Sequence, residues 1–139
     1  MSTIHHRSSP ISPTGGQALS GSMEFDELRW QDVPVRAYGP EDSGADRATR
    51  QVLIGPNESS QNFHMRYFAV QPGGHTALDQ HAHDHGVYVL HGQARLLLGE
   101  KEFMLNEGDV VYISPYEVHQ FYTVGHSAFG FLCVVPAKR

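Results

Sequence analysis

The 139-residue sequence predicts an all-β fold, a double-stranded β-helix or jelly-roll barrel, and three observations carry that prediction. From Phe63 onward, short segments rich in β-branched and aromatic residues recur at close spacing, separated by Gly, Pro, Asn or Asp. No stretch in this part of the chain shows the apolar period of an amphipathic helix over two or more turns. Finally, Asp79-Gln80-His81-Ala82-His83-Asp84-His85 sets three imidazoles and two carboxylates just before the apolar Val87-Tyr88-Val89-Leu90. A double-sheet barrel is the all-β architecture with room inside for such a group.

Taken in order, residues 1–23 are mostly Ser, Pro, Gly and Thr and carry too little apolar surface to offset the entropy of ordering them. They are expected to form a disordered tail ahead of one barrel domain over 24–139, and the pair His5-His6 within them is read as incidental. Phe25, Leu28 and Trp30 mark a short turn or edge segment, with Trp30 as a core anchor, and 32–48 reads as a loop-rich approach. Residues 51–54 form a strand ended by Gly55-Pro56-Asn57, and 63–70 (FHMRYFAV) form one that is apolar on both faces.

Gln71-Pro72-Gly73-Gly74 reads as a turn, followed by strands over 76–81 and 86–91. Strands over 94–98 and 101–105 flank Gly99-Glu100, whose Gly at the first central position suits a type II′ hairpin. After the turn at Asn106-Glu107-Gly108-Asp109 come strands over 110–113, 118–124 and 128–135, with Ser114-Pro115-Tyr116 breaking the run.

A net charge of −5 leaves no basic footprint, which argues against nucleic acid and anionic membrane as partners. The lone Cys133 cannot close an intrachain disulfide, and no apolar run reaches the length of a membrane-spanning helix. With no apolar core of a signal peptide at the N-terminus, the expected compartment is the cytoplasm.

The histidine-rich stretch points first to a metal. A neutral imidazole offers a lone pair near neutral pH, and alternate residues of a strand bring such lone pairs to one face. His119 stands in a similar context downstream.

Gly73, Asp79, His81, His85 and Gly92 together resemble the first motif of the cupin family, G-x5-H-x-H-x3-E-x6-G, with every spacing kept. Gly108, Ser114, Tyr116 and His119 resemble its second motif, G-x5-P-x-G-x2-H. Four departures stand out: the first His is Asp79, the Glu is His85, the second-motif Pro is Ser114 (Pro115 stands at the free position after it), and the second-motif Gly is Tyr116. The resemblance implies a cupin barrel and one divalent transition metal (Fe, Zn, Ni, Cu or Mn) held by His81, His85 and His119. Asp79, shorter than His, is expected either to complete that set or to support it from behind.

A competing alignment takes His81-Ala82-His83 as the His-x-His pair, but it lengthens the lead from Gly73 and leaves Val87 or Tyr88 at the spacing of the next ligand. The favoured alignment needs a bend or bulge near 82–84, because strict alternation would put 81, 83 and 85 on one face. His64, His75, His83, His91 and His126 have no motif support and are read as surface or packing residues. Cys133 is read first as a buried structural thiol and otherwise as an inward-pointing, oxidisable neighbour of the metal, and Tyr88, Tyr112, Phe121 and Phe131 as strand aromatics of undetermined face.

The resemblance implies an enzyme acting on a small oxygenated molecule, dioxygenase chemistry foremost, in the manner of the quercetin-dioxygenase-like cupins. The alternative is a cupin that binds or senses a small molecule without turnover, since this fold hosts many functions. A homodimer is expected, because the strands over 52–54 and 63–70 have edges that need covering.

Overall fold

The computed structural model describes residues 2–8, 27–38 and 44–137. Nine strands follow in order: β1 (Arg36–Ala37), β2 (Asp46–Ile54), β3 (Phe63–His75), β4 (His85–His91), β5 (Gln93–Leu98), β6 (Lys101–Leu105), β7 (Val110–Ile113), β8 (His119–Val124) and β9 (Phe129–Pro136). Every pairing between them is antiparallel, in the order β6-β5-β8-β3-β9-β4-β7, with β2 on the free side of β3 and β1 on β2. One wall of the jelly roll is β1-β2-β3-β9-β4-β7 and the other is β8-β5-β6. β3 belongs to both, because its last residue His75 pairs with Tyr122 of β8.

That double membership requires β3 to bend. The pairs Ala48↔Val70 and Asp46↔His75 leave four residues of β3, 71–74, opposite the single residue Arg47. Gln71-Pro72-Gly73-Gly74 is therefore a wide bulge inside a strand, not the expected turn. Its residues suit the role: Gly73 takes φ +82, and a Cβ on Gly74 would come within 2.5 Å of the Asp46 carbonyl.

A second correction concerns 76–81, expected as a strand. Here the chain leaves the sheet to cross the barrel mouth, tied to β8 by the isolated bridge Asp79↔His119 and by bonds at Thr76, whose N donates to the Phe121 carbonyl at 2.9 Å. β2 begins five residues earlier than read and β3 ends five residues later, β1 lies in the 32–48 stretch read as loop, and the remaining strands fall within one residue of their predicted bounds. The β5–β6 hairpin turns through Gly99 at φ +64.

Inward alternation of β3, β9 and β8 fills the barrel with Phe68, Phe121, Phe129 and Phe131, whose rings lie 4.6 Å apart for Phe121–Phe131 and 5.2 Å for Phe68–Phe131. Tyr67, Leu53, Ala69 and Val33 form a second apolar cluster, capped by Trp30, whose ring meets Tyr67 edge-on at 5.1 Å. Tyr88 and Tyr112 point outward instead, 45% and 62% exposed.

Residues 2–8 are not loose. Arg7 bridges to Trp30, Ser8 N donates to the Arg29 carbonyl at 2.9 Å, Gln31 N to the His6 carbonyl at 2.8 Å, and His5 Nε2 lies 2.8 Å from Glu58 Oε2. For these residues the tail expectation is corrected: unpaired backbone on the Trp30 segment accepts a partner strand regardless of side-chain polarity. Residues 9–23 lie outside the described residues, as does the expected boundary at residue 24.

Gly92 turns β4 into β5 at φ +78, where a Cβ would collide with the Ala128 carbonyl and Phe129 Cα. Gly92→Ala is expected to cost roughly 2–4 kcal/mol in denaturant unfolding. Gly108→Ala, at φ +89 with nothing near the new Cβ, should cost only about 1 kcal/mol. Equal losses would refute close approach as the reason for Gly92.

Candidate metal centre

Three elements meet at the barrel mouth. His85 opens β4, His119 opens β8, and His81 lies in the crossing segment between β3 and β4. A ligand nitrogen from each lies within 4.8 Å of the others, and the ring centroids stand 4.9 to 5.6 Å apart. The bend expected near 82–84 is present, for residues 82 and 83 are bends and the strand starts only at His85.

Hydrogen bonding fixes how one of the rings presents itself. His119 Nδ1 lies 2.9 Å from the Glu117 carbonyl, an acceptor only, so Nδ1 carries the proton and Nε2 keeps its lone pair. His85 Nδ1 is 3.3 Å from Cys133 Sγ, while its Nε2 is buried and has no partner among the described residues. A buried polar atom left unpaired costs free energy, so an unpartnered imidazole nitrogen on a ring grouped with two other imidazoles fits a metal ion. Burial, reinforced by the charges of His119, His83 and His81, pushes the His85 pKa down to about 3. Burial also lowers His81, opposed by the Asp79 carboxylate. Both rings are therefore neutral at pH 7, the state a metal requires.

Asp79 stands beside this group. Its Oδ2 lies 3.7 Å from His81 Nε2 and accepts the Tyr38 hydroxyl at 3.1 Å. Burial, then the Asp79 charge, raises the Tyr38 pKa above its ordinary value, so Tyr38 remains a donor. His83 is outside the three-nitrogen group but not remote from it: its ring stacks on His81 at 5.0 Å and 4°. Cys133, read from sequence first as structural, lines the inner cavity with His85, His119, Phe121 and Phe131. Burial raises its thiol pKa, while Arg66 Nη2, 3.3 Å from the sulfur, opposes that rise.

Sequence reasoning overlooked Tyr38, Arg50 and Arg66. One signal was visible, for Arg66 is a cation two residues from Phe68 on the inward side of an otherwise apolar strand. His91 has a separate environment, bonded to the buried Tyr67 hydroxyl and the Ala128 carbonyl.

Fold and site together define a small jelly-roll protein with a three-histidine centre at the barrel mouth. The family model described as "Cupin domain" matches residues 66–135, and the chain belongs to the cupin family. It is 40% identical over 114 residues, 81% of this chain and 72% of the relative, to the 1-methylthio-D-xylulose 5-phosphate methylsulfurylase of Rhodospirillum rubrum. Among solved structures it is similar to a cupin-2 domain protein of Rhodospirillum rubrum, with TM-score 0.73 and 38% identity over 81% of this chain and 75% of that one. A cupin 2 conserved barrel domain protein of Rhodopseudomonas palustris gives TM-score 0.76 and 30% identity over 99% and 82%. A polyketide cyclase of Streptomyces resistomycificus gives 0.70 and 29% over 78% and 76%.

Two predictions follow from this geometry. His85→Ala and His119→Ala should abolish stoichiometric metal uptake measured by elemental analysis, while His83→Ala retains it; loss at His83 with retention at His85 would reassign the ligands. In metal-free protein, folded His85 resists protons that the unfolded chain accepts below the ordinary imidazole value of 6.5. Stability is therefore full above that pH and declines as pH falls from 6.5 toward about 3. Denaturant midpoints should be lower near pH 5 than near pH 7.5, with a flatter profile in His85→Phe.

Proposed function

We propose that this cupin is a metal-dependent enzyme acting on a small oxygenated molecule, with His81, His85 and His119 as metal ligands and Asp79 supporting them. The three imidazoles, each with a ligand nitrogen within 4.8 Å of the others, together with the unpaired, buried Nε2 of His85, carry the reading. A divalent metal there would supply Lewis acidity to a carbonyl or hydroxyl oxygen.

The chain's own groups do the rest. Burial keeps His85 and His81 neutral, and the Glu117 carbonyl holds the His119 tautomer. Asp79, oriented by Tyr38 and adjacent to His81, is the carboxylate available to take a proton from a substrate hydroxyl. Phe68, Phe121 and Phe131 close the inner end of the cavity with apolar surface and exclude water.

The relative at 40% identity, matched over 72% of its length, is named for a ketose phosphate bearing a methylthio group. This likeness favours an enolisable hydroxyketone as substrate over a phenol. The dioxygenase reading rests on the family resemblance alone, and the binding or sensing reading shares the same pocket. We further propose a homodimer, located in the cytoplasm. No helix among the described residues is long and apolar enough to cross a membrane.

Purified protein, analysed for metal, is to be incubated with 1-methylthio-D-xylulose 5-phosphate and a small thiol as sulfur acceptor, and separately with phenols and enediols in an oxygen electrode. Metal-dependent consumption of the ketose phosphate without oxygen uptake is expected. Stoichiometric oxygen uptake on a phenol would transfer the assignment to a dioxygenase, and binding without turnover in either arm would make the protein a sensor. Sedimentation should give twice the mass of one chain, and a monomer at every concentration would remove the dimer.

A further inference from the structure

The part of the cavity lining that β1, β2 and β3 supply beside the histidines is basic, although the chain as a whole carries a net charge of −5. β1, β2 and β3 place Arg36 directly opposite Arg50, Arg50 opposite Phe68, and Val52 opposite Arg66. Since Phe68 belongs to the barrel core, this register puts Arg50 and Arg66 on the same inward face. Like charges opposed across a strand pair are destabilising, so the arrangement invites a compensating anion.

No carboxylate of the described residues supplies one. Arg29, Arg47 and Arg95 have acidic partners in Glu27, Asp46 and Glu102, but Arg36, Arg50 and Arg66 are in no ion pair among the described residues. Arg66 lies over the Phe68 ring at 5.0 Å and bonds only to Cys133 Sγ at 3.3 Å, and its Nε is buried without a partner. Arg50 and Arg66 both line a cavity of about 330 Å³ that also holds Asp79, His81, His83 and His85. Asp79, the one carboxylate there, is bonded to Tyr38 and beside His81.

We propose that Arg66 and Arg50 form an oxyanion subsite, which takes a phosphate or carboxylate group of the ligand whose other oxygens face His81, His85 and His119. The proposal rests on reading this cavity as the substrate site. A guanidinium fork matches either group by paired N–H donors, and within a partly enclosed pocket such charge-assisted bonds are strong and directional. Arg66 is thereby a specificity-determining residue: its guanidinium and the neighbouring Arg50 would fix one end of the molecule while the histidines act on the other.

The full chain as purified, with metal content measured in parallel, is to be titrated with inorganic phosphate and with acetate by calorimetry at low and raised salt. Saturable binding weakened by salt is expected. Arg66→Gln and Arg50→Gln should each weaken it about tenfold without changing metal content. Arg66→Lys should restore part of the affinity and provides the test where Arg66→Gln fails to fold. Arg95→Gln, on a strand of the other wall and paired with Glu102, should bind as wild type.

Tighter binding of phosphate than acetate would identify a phosphate ester as the source of the anion, and the reverse order a carboxylate; either supports the subsite. Anion binding that is equal in all the variants places the anion elsewhere, on the metal for instance, and overturns the proposal. So does a wild-type chain that holds metal yet binds neither anion. Arginine-dependent binding by a chain without metal would remove the metal reading and leave the subsite standing.

Discussion

The site depends on one short interaction, the reciprocal backbone pair between Asp79 and His119. Asp79 N donates to the His119 carbonyl at 3.0 Å and His119 N to the Asp79 carbonyl at 2.9 Å. This isolated bridge ties the segment crossing the mouth to the first residue of β8, and so brings the first motif against the second. Two further bonds hold the same junction: Tyr116 N donates to the His81 carbonyl at 2.5 Å, and Gln80 Nε2 to the Tyr116 carbonyl at 2.6 Å. His81 is the only one of the three clustered histidines outside a strand, and these contacts give it a position that loop backbone alone would not.

Strand register then distributes chemistry around the cavity. The inward row across the larger wall runs Val52, Arg66, Cys133, Val87 and Val111, and the next row runs Arg50, Phe68, Phe131 and Val89. Apolar residues occupy most of these places, as close packing requires. Of the polar exceptions, Arg50, Arg66 and Cys133, the last two are adjacent across β3 and β9 and contact each other, and Cys133 also contacts His85. Buried groups of this kind are stable only when each is partnered, and the two orphan atoms left in this patch, His85 Nε2 and Arg66 Nε, both belong to residues that line the cavity region.

Much of this was legible in the sequence because strand alternation and turn residues are local signals. β6 and β7 fall on their predicted bounds, and the 81, 85 and 119 spacing led to the histidines that cluster. The errors arose where a distant partner decides. Gln71-Pro72-Gly73-Gly74 carries turn residues, yet β2 and β8 pair on either side of it and make it a bulge. Residues 2–8 have the composition of a loose tail but gain backbone partners from 29–31. Tyr38 reaches Asp79 across 41 positions, and Arg66 was passed over because its charge is interpretable only once β3 is known to face the cavity.

The departures from the family motifs also become physically intelligible. Tyr116 adopts φ +65 where the motif has Gly, a conformation that costs a bulky residue free energy but keeps the backbone donor aimed at His81. Asp79 stands beside the three-nitrogen group, and its carboxylate accepts the Tyr38 hydroxyl. His85, starting β4 opposite Ile113 and 6% exposed, brings an imidazole to the place of a Glu. Moving the third imidazole from position 79 to position 85 shifts it onto the strand that adjoins β9, hence next to Cys133 and Arg66. The permutation thus joins the histidines to the basic wall. A common barrel with this altered arrangement of donors presents a different surface to its ligand, which explains why the fold is a poor guide to the reaction while the positions of individual side chains are a better one.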